Sequence, residues 1–325
     1  MNVLKKMLII KTLQKKYGKV FNFIDFGNGN VTFVLKNKLN YYDKEYLELP
    51  KKADVIKIMK KYYKKNNNIE VKTILAEEDV MKNLEINCNG EKLKIESCNF
   101  YMNLKVDNVD NLVLSDDAKV YGNLEVNANK VNFKNANLVC YGITKINANK
   151  IVLTCSKLIL SDISELNAKE YLHLLLTHMV CIYSSSMIKS NNTVIEKSDI
   201  DCENLIIKSN NLELKSNKID ASDNIEIDSQ NIESSNNKIV SDKLTVNNKN
   251  NNGLNNVSAN LIIYNNQDVT YMANRKLSCS RKKIIQVLRD IKNICEVNKK
   301  DIIDERIDEI EKEIDVRAIT KLLNK

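Results

Sequence analysis

A 20-residue repeat runs through the middle of the chain and restricts the possible folds more than any other feature. The string Asn-Ala-Asn-Lys occurs at 127–130 and again at 147–150. Blocks of the same pattern begin at Asn83, Asn103, Asn123, Ile143 and Ile163 and, after a one-residue slip, at Asn204 and Asn224. The span 83–262 holds 180 residues, or nine periods of 20. A fixed period of this length is typical of repeat architectures, in which each unit stacks on its neighbours.

Within each block, apolar residues come in pairs separated by a single residue. In the third block the pairs are Leu124 and Val126, Val131 and Phe133, and Leu138 and Cys140. This period-two pattern indicates a strand with one buried face. The pairs start seven residues apart, with polar residues in the gaps. The sequence therefore predicts a mainly β fold, a single-chain, three-sided parallel β-helix (β-solenoid) with one coil per 20-residue repeat.

Stacking of equivalent positions leads to specific expectations. Inward residues 20 apart should lie over one another in the column Ile86, Val106, Val126, Ile146 and Leu166. Asn127, Asn147 and Asn167 share one phase of the repeat, which predicts an Asn ladder like those of cross-β stacks. Asn also suits the corners, because it tolerates a left-handed backbone. Nine coils spaced by about 4.8 Å predict a rod about 43 Å long.

Two other folds are alternatives to a β-helix. A leucine-rich repeat also has 20–29 residues, but the blocks lack its L-x-x-L-x-L-x-x-N frame and its helical half. An antiparallel up-and-down sheet needs turns rich in Gly, and the whole chain has only seven Gly. Both folds fit the pattern less well than a parallel β-helix.

The segments outside the repeat predict further units. Residues 1–82 form a predicted small α+β cap or docking domain, with a hairpin (19–25 and 31–35), a helix over 54–65 and a strand over 69–75. The solenoid is predicted for 83–266, and a linker for 267–280. Helical apolar spacing in 281–325 predicts amphipathic C-terminal α-helices.

The C-terminal segment contains the candidate interaction residues. A basic cluster consists of Arg275, Lys276, Arg281, Lys282 and Lys283. The positions Ile303, Ile307, Ile310 and Ile314 have the 4-3-4 spacing of a short coiled coil or partner helix. The expected partners are another copy of the chain or another protein, and the basic cluster also fits an anionic membrane surface. Both features also fit a solvated linker and a helical cap on the last coil.

The chain offers little catalytic chemistry. Its two His, His173 and His178, lie five residues apart with no nucleophile motif nearby, and a one-residue slip is expected to bury Leu172 and Leu174 and expose His173. No dinucleotide or phosphate-loop motif occurs, so no cofactor is expected. All five Arg lie after residue 274, and the dispersed Lys surface makes nucleic acid an unlikely partner. The sequence therefore predicts a protein that is not an enzyme.

The cysteines and the apolar runs predict the compartment. None of the eight Cys has C-x-x-C spacing, so neither a zinc site nor a disulfide framework is expected, and reduced core thiols are predicted. The apolar run before Lys11 is too short for a secretory signal. No stretch approaches the roughly 18 apolar residues of a membrane span. These features predict a soluble cytoplasmic protein.

The order of a small N-terminal domain, a β-helix and a charged helical C-terminus resembles the flagellar assembly protein A family. The solenoid over 83–266 also resembles bactofilins, which are polymer-forming bacterial cytoskeletal proteins. These resemblances rest on architecture and imply a structural role without a catalytic site.

Three functions are compatible with these features. The first is a non-enzymatic scaffold whose rigid rod presents its terminal domains or stacks end to end. The second is a regulatory module that docks on a membrane or a partner through the C-terminal helices. The third is a carbohydrate-binding or adhesive β-helix of a phage or cell surface, although the span 103–262 has few aromatics and no Trp.

Overall fold

The computed structural model describes residues 3–18, 21–24, 31–35, 46–62, 71–76, 79–182, 184–249, 254, 257–268 and 313–314. The described strands form one continuous sheet wound into a β-solenoid of about nine turns. The prediction of a mainly β, parallel solenoid is therefore confirmed.

The coils are formed by twelve strands. They are β6 (Leu84–Phe100), β7 (Leu104–Val120), β8 (Leu124–Cys140), β9 (Thr144–Thr154), β10 (Lys157–Leu160), β11 (Ser164–Leu175), β12 (His178–Cys181), β13 (Ser185–Glu196), β14 (Asp199–Lys215), β15 (Lys218–Ser235), β16 (Lys238–Asn248) and β17 (Val257–Tyr264), numbered after the five N-terminal strands given below. Each pairs in parallel with its counterpart in a neighbouring coil. Consecutive coils are thus held together by main-chain hydrogen bonds along the whole stack.

The predicted inward column is confirmed by the register. Ile86 pairs with Val106, Val106 with Val126, and Val126 with Ile146, which in turn pairs with Leu166. All five side chains are buried, and they belong to one apolar core that runs through the solenoid. The column forms because residues one period apart occupy the same place in successive coils.

An extra residue in β11 accounts for the irregular phase around the two His. Ala168 pairs with Ala148 but Tyr171 pairs with Lys150, so β11 has one residue more than β9 over this stretch. A one-residue shift exchanges the two faces of a strand. Leu172 and Leu174 consequently point inward and are fully buried, as predicted. The side chain of His173 is on the outer face, where it is half-buried.

Left-handed backbone marks the corners of the coils. Among the described residues, twelve that are not glycine have positive φ, and six of these are Asn, including Asn89, Asn108 and Asn135. The prediction that Asn serves the corners therefore holds for half of these positions. Cys155, Leu176 and Lys197 adopt the same conformation in successive coils, although their side chains do not favour it.

A column of buried polar side chains follows these corners inside the solenoid. Its members are Ser156, Thr177, Ser198, Asn217 and Asn237, none more than 4% exposed. The backbone N–H of Thr177 donates to Ser198 Oγ (3.0 Å), and the N–H of Ser198 donates to Asn217 Oδ1 (2.9 Å). Asn237 likewise accepts from the N–H of Asn217 (3.0 Å), so the backbone amides of Thr177, Ser198 and Asn217 are paired although buried.

The N-terminal elements lie against the first coil. They are α1 (Val3–Tyr17), β1 (Phe21–Ile24), β2 (Val31–Leu35), β3 (Tyr46–Glu48), α2 (Lys52–Tyr62), β4 (Val71–Ala76) and β5 (Asp79–Val80). β1 and β2 pair antiparallel, which confirms the hairpin, and α2 and β4 lie at the predicted helix and strand. β3, β4 and β5 pair in parallel with β6, so the solenoid sheet continues into this region. Helix α1 was not anticipated.

At the other end, the last coil is flanked by antiparallel strands. β18 (Gln267–Asp268) and β19 (Glu313–Ile314) both pair antiparallel with β17. Glu313 and Ile314 are the only described residues of the predicted C-terminal helices, and they form a strand, so the helix prediction is not confirmed there. The rest of 281–325, with the helices predicted for it, lies outside the described residues.

Candidate functional site

A long open groove follows one corner of the stack. It has a volume of about 1370 Å³ and crosses the coils from Gly90 to Lys249. Two rows of polar side chains form its walls. Between them lie small residues in register, Ala128, Ala148, Ala168, Ser190, Ser209 and Ser229, which leave the space that makes the surface concave.

The first wall contains the predicted Asn ladder. Asn147 donates from Nδ2 to Asn127 Oδ1 (3.0 Å), and Asn167 donates to Asn147 Oδ1 (3.1 Å). Asn127 in turn donates to Asp107 Oδ1 (2.7 Å), so four consecutive coils are joined. The ladder predicted for Asn127, Asn147 and Asn167 is confirmed. Asn127 and Asn167 use their second donor on Glu125 and Glu165, and the amide oxygens of the ladder keep acceptor capacity.

The second wall repeats the arrangement in a more exposed position. Asn149 donates to Asn129 Oδ1 (2.9 Å), and Asn129 donates to Asp110 Oδ1 (3.0 Å). Amide groups therefore recur on both sides of the groove at the spacing of the coils, about 4.8 Å. An extended ligand with repeated hydroxyl or amide groups could bridge the two walls.

The groove has nearly balanced charge. Its lining contains Lys169, Lys189, Lys208 and Lys249 together with Asp110, Glu165 and Asp228. Among the described lining residues there is no Arg and no aromatic side chain. The groove thus lacks the bidentate phosphate contacts and stacking platforms of nucleic-acid sites, and its chemistry fits an uncharged polar ligand better.

A second surface lies on a different corner, where each coil passes to the next. Tyr101, Tyr121 and Tyr141 stack there, with ring centroids 5.0 and 5.1 Å apart. We define the tyrosine edge as the exposed residues Met81, Tyr101, Met102, Tyr121, Tyr141, Ile163 and Ile182. Sequence reasoning missed this edge, although the three Tyr recur at the repeat spacing of 20 and would have revealed it.

The two His lie in different surroundings. The Nε2 atom of His173 is buried without a hydrogen-bond partner, and burial lowers the pKa of this imidazole, opposed by the charges of Glu196 and Glu213. Nδ1 of His178 is 3.9 Å from Asp199 Oδ2, and both side chains are largely exposed. No group of three metal-ligating side chains occurs among the described residues.

None of the six described cysteines is in a disulfide, and five of the six are buried. Burial raises the pKa of the Cys88 and Cys202 thiols to about 12 and also raises the pKa of Cys140 and Cys181. A thiol with a raised pKa is a poor nucleophile at neutral pH. These residues are part of the core, and Cys155 is the one exposed cysteine of the six that the structure describes.

The C-terminal candidate residues are not brought together by any described contact. Arg275, Lys276, Arg281, Lys282, Lys283, Ile303, Ile307 and Ile310 lie outside the described residues. The backbone of Ile314 pairs with Val257. No described helix is both long and apolar enough to cross a membrane.

The fold and the ladders define the class of protein as a parallel β-solenoid with Asn ladders. Comparison with family models, with curated proteins and with solved structures found no match.

Proposed function

We propose that this protein is a non-enzymatic structural protein, a rigid rod that acts as a scaffold and presents its terminal regions to partners. The observation that carries the proposal is the unbroken parallel pairing from β6 to β17 around one apolar core. Hydrogen-bonded ladders on the outside add a second set of links between coils. Such a stack resists bending because every coil is bonded to both neighbours.

A three-sided cross-section belongs to this proposal. It is supported by the three apolar pairs of β8, Leu124 and Val126, Val131 and Phe133, and Leu138 and Cys140, which are all buried. Cytoplasmic residence is also proposed, because the six described cysteines form no disulfide and five of them are buried. The likeness to bactofilins and to the flagellar assembly protein A family stays a prediction.

Electron microscopy of the purified chain in negative stain tests the scaffold proposal. Rods of uniform width and length are expected, with light scattering that reports the assembly state as the concentration rises. End-to-end polymers would give long filaments at high concentration. Flexible or globular particles would contradict the proposal, because a scaffold of this kind depends on a stiff rod.

A carbohydrate-binding function is the second candidate, and the groove is the observation that favours it. Amide rows on both walls and balanced charge suit a neutral, extended, polyhydroxylated chain. Titration with neutral and anionic polysaccharides should give saturable binding of the neutral ones only. Asn149→Leu, in the groove wall, should weaken this binding. Asn211→Leu should not, because Asn211 forms a similar exposed ladder outside the groove.

Docking on an anionic membrane is favoured by helix α1 among the described residues. Leu4, Met7 and Leu8 share one exposed face of α1, which contains five Lys and no acidic residue. This combination is typical of helices that lie in the membrane interface. Co-sedimentation with vesicles that contain anionic lipid, compared with neutral vesicles, tests it. Binding that Met7→Asp does not weaken would exclude α1 as the contact.

A further inference from the structure

Exposed apolar side chains are concentrated on the tyrosine edge. Of the twelve large apolar side chains that are exposed in the described part of the chain, seven belong to this edge. From Met81 to Ile182, over the first half of the solenoid, every coil contributes at least one of them at this corner. Ser161 takes the place of the stacked Tyr in one coil, and Ile163 provides the apolar side chain there. Contiguous apolar patches of this kind on a soluble protein mark interaction sites.

The edge is rigid and shallow. The stacked rings of Tyr101, Tyr121 and Tyr141 cover one another's faces, so ring edges are presented outward. Gly122 and Gly142 follow two of these Tyr, and a Cβ at either would lie 2.4 Å from an Asn side-chain oxygen of the preceding coil. Tyr is favoured in interfaces because it buries a large area with little loss of side-chain entropy.

We propose that the tyrosine edge is the surface on which a second copy of this chain binds, side by side and antiparallel. This inference rests on the proposed scaffold function and specifies how the rods associate. A two-fold axis between Tyr121 and Tyr141 would place Tyr121 of each copy opposite Tyr141 of the other. Met81 of one copy would then lie beside Ile182 of the other, and the contact would be self-complementary, as in an isologous dimer.

The area of the edge fits a specific dimer. The seven side chains are 38–51% exposed, which at about 200 Å² for a fully exposed large side chain gives about 600 Å² per copy. Two copies would bury about 1,200 Å² in total, the lower bound for specific interfaces. Half-buried Val139, Ile159 and Val180 on the adjoining face extend the apolar surface. An exposed patch of this size is sufficient for a reversible dimer.

Charge selects the antiparallel orientation. Beyond Ile182 the same corner continues with the exposed acidic residues Glu203, Asp223 and Asp242. Residues 1–82, at the opposite end, contain 18 Lys and nine acidic residues, a net charge of +9 in a chain of net charge +8. An antiparallel pair brings the acidic part of each rod towards the basic end of the other, whereas a parallel pair brings like charges together.

The ends of the stack also favour lateral contact. β18 and β19 pair with β17, and β3, β4 and β5 pair with β6. Stacking of one rod on the end of another by strand pairing would require these flanking strands to move. The tyrosine edge needs no such rearrangement.

Sedimentation velocity of the full chain over a range of concentrations tests the surface. The wild type should be in monomer–dimer equilibrium and should stop at the dimer. Tyr121→Asp combined with Tyr141→Asp places like charges opposite each other and should weaken the dimer by about 100-fold or more. Leu176→Asp is the matched control, since Leu176 is 51% exposed like Tyr141 but lies on another corner, and it should leave the dimer intact.

Cysteine cross-linking tests the orientation without relying on those Asp variants. In a background with Cys155, Cys279 and Cys295 changed to Ser, Met81→Cys chains mixed with Ile182→Cys chains should form a cross-linked dimer. Either variant alone should give little product. Efficient cross-linking of one variant with itself would overturn the antiparallel arrangement.

A wild type that stays monomeric would overturn the proposal, as would a dimer that survives the double Asp substitution in folded protein. A monomeric result would not refute the scaffold function, because micrographs of the rods test that function separately.

Discussion

The most discriminating prediction compares two Asn of the same coil that differ in burial. Asn217 is 3% exposed and Asn211 is exposed, although both belong to ladders of side-chain amides. Replacing each by Ala removes the same chemical group from the same cooperative unit. The difference between the two costs therefore reports what burial adds to a hydrogen bond.

The contacts of Asn217 give the expected magnitude. Its Oδ1 accepts from the N–H of Ser198 (2.9 Å), and its Nδ2 donates to Ile195 O (2.6 Å) and to Asn237 Oδ1 (3.0 Å). Asn217→Ala leaves the Ser198 amide buried without a partner and weakens two acceptors. A buried group left unpaired costs about 1–3 kcal/mol, so a loss of about 2–4 kcal/mol of unfolding free energy is expected.

Asn211 makes comparable bonds in contact with water. Its Nδ2 donates to Asn192 Oδ1 (2.8 Å), and its Oδ1 accepts from Asn231 (2.7 Å). Water can replace both partners, so Asn211→Ala should cost about 0.5–1 kcal/mol. The loss for Asn217→Ser should lie between the losses for Asn217→Ala and Asn211→Ala. A hydroxyl can replace the amide oxygen in part, since Ser198 Oγ already accepts from a backbone N–H of the coil before it.

Urea unfolding followed by far-ultraviolet circular dichroism measures all three variants against the wild type. Equal losses for Asn217→Ala and Asn211→Ala would refute the reasoning, since burial would then have no effect on the cost. A larger loss of unfolding free energy for Asn211→Ala than for Asn217→Ala would reverse the expected order. It would mean that the outer ladders contribute more to stability than the buried column.

Three further predictions concern the corners, the thiols and the repeat. Leu176 has φ of 50°, so Leu176→Asn should stabilise the chain by about 0.5–1 kcal/mol in urea unfolding, whereas Leu176→Ala should give no gain. The pKa of the Cys88 and Cys202 thiols is raised to about 12, so the folded state disfavours their ionisation. The unfolding free energy should consequently fall as the pH rises above the ordinary thiol pKa of about 8.5, and it should continue to fall towards pH 12. Urea titrations at successive pH values measure this dependence, and the double variant Cys88→Ala, Cys202→Ala should flatten it. Deletion of 124–143 joins equivalent positions of two coils, because Leu124 pairs with Thr144, and should leave a folded rod shorter by about 4.8 Å in small-angle scattering. Deletion of half that segment should unfold it.

The candidate groove could be predicted in part. The ladder of Asn127, Asn147 and Asn167 follows from their common phase, because residues one period apart must meet when coils stack. The concavity could not be predicted, since it depends on which small residues fall between the walls once the corner has turned. The spacing of 20 predicts that Tyr101, Tyr121 and Tyr141 stack, but their exposure depends on the direction in which the chain leaves one coil for the next.

The sequence by itself determined the solenoid, its parallel strands and its inward columns. A 20-residue period with apolar alternation has few other solutions, because a single coil cannot bury its apolar face without the next. Only the tertiary structure decided the features that depend on contacts between neighbouring coils, because the local pattern does not contain those contacts. The extra residue between Ala168 and Tyr171, the buried caps at Thr177 and Ser198, and the pairing of β4 with β6 are of this kind. Each depends on a partner in another coil or element, and a local pattern specifies only the face on which a side chain lies.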